Sequence, residues 1–452
     1  MLMARSSLFK HRHRIRHRRG GAGHSIKARA AIDAGDLDQA EDLLRQAGVA
    51  ARAKVQSVLA AAAKAQRQEA DITATDAEVK ALQFDFQGAA ATYAEAAREL
   101  PADDVHDRWR YVRAQGLMLK ARGERFEEPQ ALRDAVALYR DAALPLVPRN
   151  QDPVAWTRTQ NDLGNALEIL GKRGDQPALR EAVAAFRLAL EVDTRERAPI
   201  DWARDQNNLG IALERLARGG DDAALHEAVA AFRLALEVNT RERAPIDWAR
   251  DQVNLGIALG SLGRGGDDAA LHESVAALRA ALEVNTRGRD PATWAATELS
   301  LGQTLETLGE RGDNQALRDA VAAFRAALEA QTRDSDPANW ANGENSIGTA
   351  LGVLGERGDR QALPDAVTAF RAALEVHIRD RDPLDWAVGE ANLGEALTAL
   401  GEHGDEAALH EAVAALRAAL EILTPATYPA EAKEVSTYLV RAEAALAKRP
   451  QH

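Results

Sequence analysis

His226-Glu227, His272-Glu273 and His410-Glu411 each open a stretch that could start a zinc-binding helix. In such a helix two histidines one turn apart hold the metal, and the glutamate between them acts as a base. The second histidine is missing, because Ala230, Ala276 and Ala414 stand one turn on. Residues 164–173, GNALEILGKR, have the glycines and lysine of a phosphate-cradling loop, but the glycines lie two residues too far apart and Arg173 replaces the metal-binding hydroxyl. Arg173-Gly174-Asp175, Arg311-Gly312-Asp313 and Arg357-Gly358-Asp359 match a cell-adhesion tripeptide. A glycine helix stop followed by a turn or capping aspartate accounts for all three. His11, His13, His17 and His24 sit among arginines whose charge repels a metal cation. The chain has no cysteine, which removes disulfides and thiolate metal sites and leans toward a cytoplasmic setting. No catalytic residue, metal or cofactor is therefore expected, and the chain reads as non-enzymatic.

The elements that carry these residues follow one ruler. Trp156, Trp202, Trp248, Trp294, Trp340 and Trp386 recur at a fixed interval of 46 residues, and Trp109 precedes them by 47. A period of this size marks a repeat architecture, which presents an extended binding surface. In the unit 201–246, Trp202, Leu209, Leu213 and Leu216 share one side of a first helix, and Ala228, Ala231, Phe232, Ala235 and Leu236 one side of a second. Neither stripe can be buried alone, so the helices must pair and stack. Pro153, Pro199, Pro245, Pro291, Pro337 and Pro383 stand three residues before a Trp, where they are expected to end the preceding helix. Asp201, Asp247, Thr293, Asn339 and Asp385, just before their Trp, are expected to cap the next one; Ala155 is the exception, so that unit should start less firmly. Pro364 should lie at the start of its second helix.

Leu209-Gly210, Leu213, Ala228, Phe232 and Ala235 resemble the tetratricopeptide (TPR) pattern of Leu-Gly and a large apolar residue, then Ala, aromatic, Ala. The unit is longer than the usual TPR and is similar to the lengthened repeats of kinesin light chains and bacterial TPR arrays. The resemblance implies an all-α, right-handed α-solenoid of antiparallel helix pairs. It divides the chain into a basic disordered leader (1–24), a degenerate helical region (25–108), seven long repeats (109–155, 156–201, 202–247, 248–293, 294–339, 340–385 and 386–424) and a capping helix with tail (425–452). Residues 35–47 and 88–101 resemble second helices of ordinary TPRs. The stretch 49–84 between them reads as a long helix with a break near Thr73-Ala74-Thr75. In the degenerate unit, Gly116, Leu119, Ala135, Tyr139 and Ala142 hold the key places.

The 452 residues carry 57 Lys+Arg against 69 Asp+Glu, for a net −12. Nine cations precede the first acid, Asp33, so the rest is more acidic still. An acidic body disfavours nucleic acid as a partner of the array, and no apolar run is long enough to span a membrane. Arg204, Asn207, Asn208, Ile211, Glu214 and Arg215 lie opposite the first-helix apolar stripe, the side that lines the concave groove in TPR proteins. Asn before Leu-Gly often bonds a peptide backbone in that family, which points to Asn208, Asn254 and Asn392, with Asp162, Ser300 and Ser346 departing from the pattern. Arg158, Asn161, Arg204, Asn207, Ile211, Arg250 and Asn345 complete the candidate groove. Arg158, Arg204 and Arg250 suggest a basic half, and Ala296, Asn342 and Val388 a more neutral half. The tryptophans are read as buried scaffold markers. Gln160, Gln206, Gln252, Glu298, Glu344 and Glu390, within the apolar stripe, are read as structural. The expected function is a scaffold or adaptor that binds a peptide or protein segment. The alternatives are a self-associating array that forms homo-oligomers, or the sensor arm of a bacterial effector system.

Overall fold

The computed structural model describes residues 23–218 and 221–448. Apart from Gly23 and His24, the stretch read as a basic leader lies outside the described residues. The chain divides into two compact units, Met1–Ile169 and Leu170–His452. Among the described residues every regular element is helical, and the repeats are TPR-like helix pairs.

In the first unit a short helix at 23–33 precedes a 46-residue helix, Leu37–Leu82. Residues 35–47 are therefore not a separate second helix, and the expected break at Thr73-Ala74-Thr75 is absent. That helix contains no proline and only one glycine, Gly48, so nothing in it stops propagation. The threonine hydroxyls are absorbed: Thr75 Oγ1 donates to the Asp71 carbonyl and Thr73 Oγ1 to Glu99. Phe86–Glu99 and Val105–Arg125 follow, then Pro129–Leu138, which runs into a π-helical turn at Tyr139–Ala143. A Cβ on Gly116 would lie 2.4 Å from the Tyr139 ring, so the glycine admits the aromatic as expected. The π turn adds one residue to the helix and shifts the register. Ala143, not Ala142, is consequently the buried small residue.

The second unit alternates first helices (Pro199–Ala217, Pro245–Arg264, Pro291–Glu310, Pro337–Glu356, Pro383–Glu402) with second helices (Gln176–Leu190, Asp222–Leu236, Asp268–Leu282, Asn314–Leu328, Ala362–Leu374, Glu406–Leu420). Pro429–Ala447 packs on the last pair. Close approach of each pair depends on the glycine of Leu-Gly. A Cβ on Gly210, Gly302 or Gly348 would sit 2.5–2.7 Å from the ring of Phe232, Phe324 or Phe370. Burying one such ring contributes roughly 1.5–3 kcal/mol.

The prolines do not close the preceding helix; each is the first residue of the next one. A fixed φ and a missing N–H suit that position. The N-caps are Ala198, Ala244, Asp290, Asp336 and Asp382. The Asp290 and Asp336 side chains accept from the Thr293 and Asn339 amides. Asp201, Asp247, Thr293, Asn339 and Asp385 are thus inside the first turn and are not caps. Nor does Ala155 mark a weak start, because Asp152 accepts from its amide at 3.0 Å. Gly312 and Gly404 stop their helices at φ +117° and +122°, the left-handed region favoured by glycine. The helix Ala362–Leu374 holds Pro364 in its first turn, as the sequence predicts.

Candidate functional site

The residues that looked catalytic are taken up by the stacking. Glu227, Glu273 and Glu411 of the His-Glu pairs accept at 2.7 Å from Arg187, Arg233 and Arg371, one second helix back. Asp175 and Asp313 of the adhesion-like tripeptides cap helices by accepting from Ala178 and Ala316. Arg311 donates to Asp268 and the Gly263 carbonyl, and Arg357 to the Gly309 and Glu310 carbonyls. Both arginines thereby complement the negative end of the previous first helix. Residues 164–172 are helical, and Gly171 packs against Leu179. Among the described residues no group of three His, Cys, Asp or Glu could hold a metal ion, and no helix is long and apolar enough to cross a membrane.

The tryptophans are only half-buried, Trp109 excepted. An arginine seven residues upstream lies over each remaining ring. In the second unit Arg195, Arg241, Arg287, Arg333 and Arg379 stand 5.2–6.0 Å from the centroids of Trp202, Trp248, Trp294, Trp340 and Trp386. Each also pairs with a carboxylate at the end of the next second helix: Glu237, Glu283, Glu329, Glu375 and Glu421. The planar guanidinium can stack and bridge at once. The recurring Arg seven places before Trp was the sequence signal for this ladder.

The expected groove side of the first helix is more buried than a helical wheel suggests. A first helix here meets its own second helix, the preceding second helix and both neighbouring first helices, so the packed arc widens. Asn207, at 3% exposure, and Glu214 fall inside it, and in the first unit so does Asn161. Asn254 Nδ2 donates to Asn207 Oδ1 at 2.9 Å, and Asn392 Nδ2 to Asn345 Oδ1 at 3.1 Å. The asparagines chosen for ligand contact thus join successive first helices. The residue five places after Trp pairs with the residue six places after the next Trp. Where the first of these is Val253 or Leu299, the second is Ser300 or Ser346. That alternation was the legible clue. Asn208 and Ile211 are half-exposed, and Arg158, in the first unit, is exposed.

The charge of this face also differs from the basic-then-neutral expectation. Arg204 and Arg250 are paired with Asp201 and Asp247 on their own helices. The next three first helices, Pro291–Glu310, Pro337–Glu356 and Pro383–Glu402, carry nine carboxylates and no lysine or arginine. Burial raises the pKa of Glu298, Glu344 and Glu390, with Arg325 opposing it at Glu344 and Glu411 adding to it at Glu390. Burial and the neighbouring Glu310 push Glu306 up to about 7. A cavity of roughly 230 Å³ opens between the last two of these helices. Leu374, Leu384, Val388, Gly389, Asp385 and Glu431 are among the residues that line it. His377, at 7% exposure, faces Asn342 Oδ1 at 3.2 Å in its wall. The first helices that carry the half read as neutral are therefore rich in acid and hold no cation of their own.

No family model and no curated protein matches the chain. Solved structures do. The apo form of RapI is 12% identical over 84% of this chain and 98% of its own, with a TM-score of 0.48. A Rap protein complexed with competence and sporulation factor is 13% identical over 84% and 99%, at 0.43. The C-terminal part of a TPR repeat-containing protein from Cytophaga hutchinsonii is 14% identical over 71% and 99%, also at 0.43.

Proposed function

We propose that the chain is a non-enzymatic interaction scaffold whose first-helix face binds a peptide or protein segment, and that the segment is basic. The observation that carries this reading is the run of three first helices with nine carboxylates and no cation. Crowded, partly buried carboxylates are unfavourable in isolation, as the upward displacement of Glu306 shows. A cationic partner would relieve that repulsion on binding and draw its ligand in electrostatically. Binding of matched basic, acidic and neutral 15-residue peptides to the full chain at low salt tests it. Basic peptides are expected to bind, with affinity falling at least tenfold on combined Glu306→Gln, Glu310→Gln and Glu395→Gln substitution. Preference for acidic peptides, or no effect of the substitutions, overturns the reading.

A further inference from the structure

A charge pair recurs along the first helices of the second unit and then loses one member. The residue just before Trp and the residue two places after it read Asp201 and Arg204, Asp247 and Arg250, Thr293 and Ala296, Asn339 and Asn342, then Asp385 and Val388. Arg204 and Arg250 pair with their aspartates, and Arg250 also stands 3.6 Å from the buried Asp251. Where the arginine gives way to Ala296 or Asn342, the acid is gone as well. Of these five helices only Pro383–Glu402 keeps the aspartate without the arginine. Beside Val388, Gly389 stands where Asp205 and Asp251 stand in the earlier repeats, so two longer side chains are cut back at one place.

The cavity of roughly 230 Å³ is lined by Asp385, Val388 and Gly389, by Leu374, and by Glu431 of the helix Pro429–Ala447. It is smaller than the ~300–1,000 Å³ pockets that take drug-sized ligands, and suits a single side chain. Its imidazole and amide groups are already engaged, since His377 bonds Asn342 and Asn345 accepts from Asn392. Neither Asp385 nor Glu431 is paired with a cation among the described residues. The site therefore offers two carboxylates for a positive head and apolar side chains for the stem that carries it.

Resting on the scaffold reading above, we propose that this cavity is the anchor subsite for the basic segment and that it takes one arginine side chain. The incoming guanidinium pairs with Asp385, as Arg204 and Arg250 pair with Asp201 and Asp247 within the chain. Its planar fork of donors can engage Glu431 as well, which a compact ammonium does less readily. The partner thereby completes from outside the ion pair that the earlier repeats make for themselves.

The test uses the full chain and two fluorescein-labelled 15-residue peptides of glycine and serine, each with four lysines, followed by anisotropy at low salt. One has a central arginine and its twin has citrulline, the neutral isostere of arginine, at the same place. Four proteins are compared: the native chain, Asp385→Asn with Glu431→Gln, Val388→Arg, and Ala296→Arg. Val388→Arg supplies the missing guanidinium from within, and Ala296→Arg adds the same charge at the corresponding place two first helices earlier. The arginine peptide is expected to bind the native chain about tenfold more tightly than its twin, the gain of one charge-assisted bond. That ratio should fall close to one in the double variant and in Val388→Arg, and persist in Ala296→Arg. All the substituted residues are exposed, and circular dichroism verifies the helix content. Twins that bind the native chain equally, or a ratio that survives in the double variant and in Val388→Arg, overturn the subsite while the basic-segment reading stands. A ratio lost equally in Ala296→Arg places the arginine elsewhere and also overturns it. If neither twin binds the native chain, the subsite and the basic-segment reading fall together.

Discussion

Asp251 lies in the first helix Pro245–Arg264 at 0% exposure. Its Oδ2 accepts from Asn239 Nδ2 at 2.8 Å, and Arg250 stands 3.6 Å from Oδ1. Burial pushes its pKa from 3.8 up to about 6; the Asn239 bond and Arg250 oppose the rise, and Asp247 adds to it. At about 1.36 kcal/mol per unit, holding the ionised form costs the fold about 3 kcal/mol. The sign follows from proton counts. Below about pH 3.8 both folded and unfolded chains hold the proton and there is no penalty. Between there and about pH 6 the unfolded chain releases the proton while the folded chain retains it, so stability falls as pH rises. Above that window the penalty is constant. Asp251→Asn keeps an oxygen for the Asn239 bond and cannot ionise. It is expected to be near neutral at pH 4 and to stabilise by up to about 3 kcal/mol at pH 7.5. Because repeats open locally, the assay is hydrogen exchange of residues 245–264 with native chain and variant side by side. A stability difference that is flat from pH 4 to 7.5, or a variant destabilised at pH 7.5, would refute the assignment of a penalised carboxylate.

Two paired glycine substitutions should behave oppositely. Gly302→Ala drives a methyl to 2.5 Å from the Phe324 ring and should lose about 1–3 kcal/mol, whereas Gly352→Ala meets nothing within 4 Å and should gain roughly 0.5–1 kcal/mol in urea unfolding. Asn207→Ala, Asn254→Ala and the double variant form a cycle whose coupling is expected at about 0.5–1.5 kcal/mol for the bond they share; zero coupling says that the two asparagines do not join the helices.

Periodicity made the helix pairs legible, since a stripe at helical spacing can be read without knowing its neighbour. Gly210 with Phe232 and the glycine stops were visible for the same reason. The two segments misjudged in the first unit, Leu37–Leu82 and Tyr139–Ala143, lack a regular period to read against. The cap at Asp290 was misplaced by one turn because proline carries two opposite signals, an end to one helix and a start to the next. Asn207 was misread because a helical wheel considers one helix, while burial there is set by the next first helix through Asn254.

The same division runs through the candidate site. Sequence alone determined the repeat, its helical class, the glycines and aromatics that let the pairs close, and the excess of acid over base, because each is a property of local spacing or of composition. Only the stacked structure decided which charges remain available. Arg204 and Arg250 are quenched by neighbours three residues away, and the arginines over the tryptophans by carboxylates about forty residues on. Glu344 and Glu390 turn toward the second helices, where Arg325 and Glu411 lie near them, while Glu306 lies beside Glu310 on its own helix. Partnership and burial across repeats are long-range facts, and electrostatic energy depends on distance and solvent exposure rather than on order along the chain.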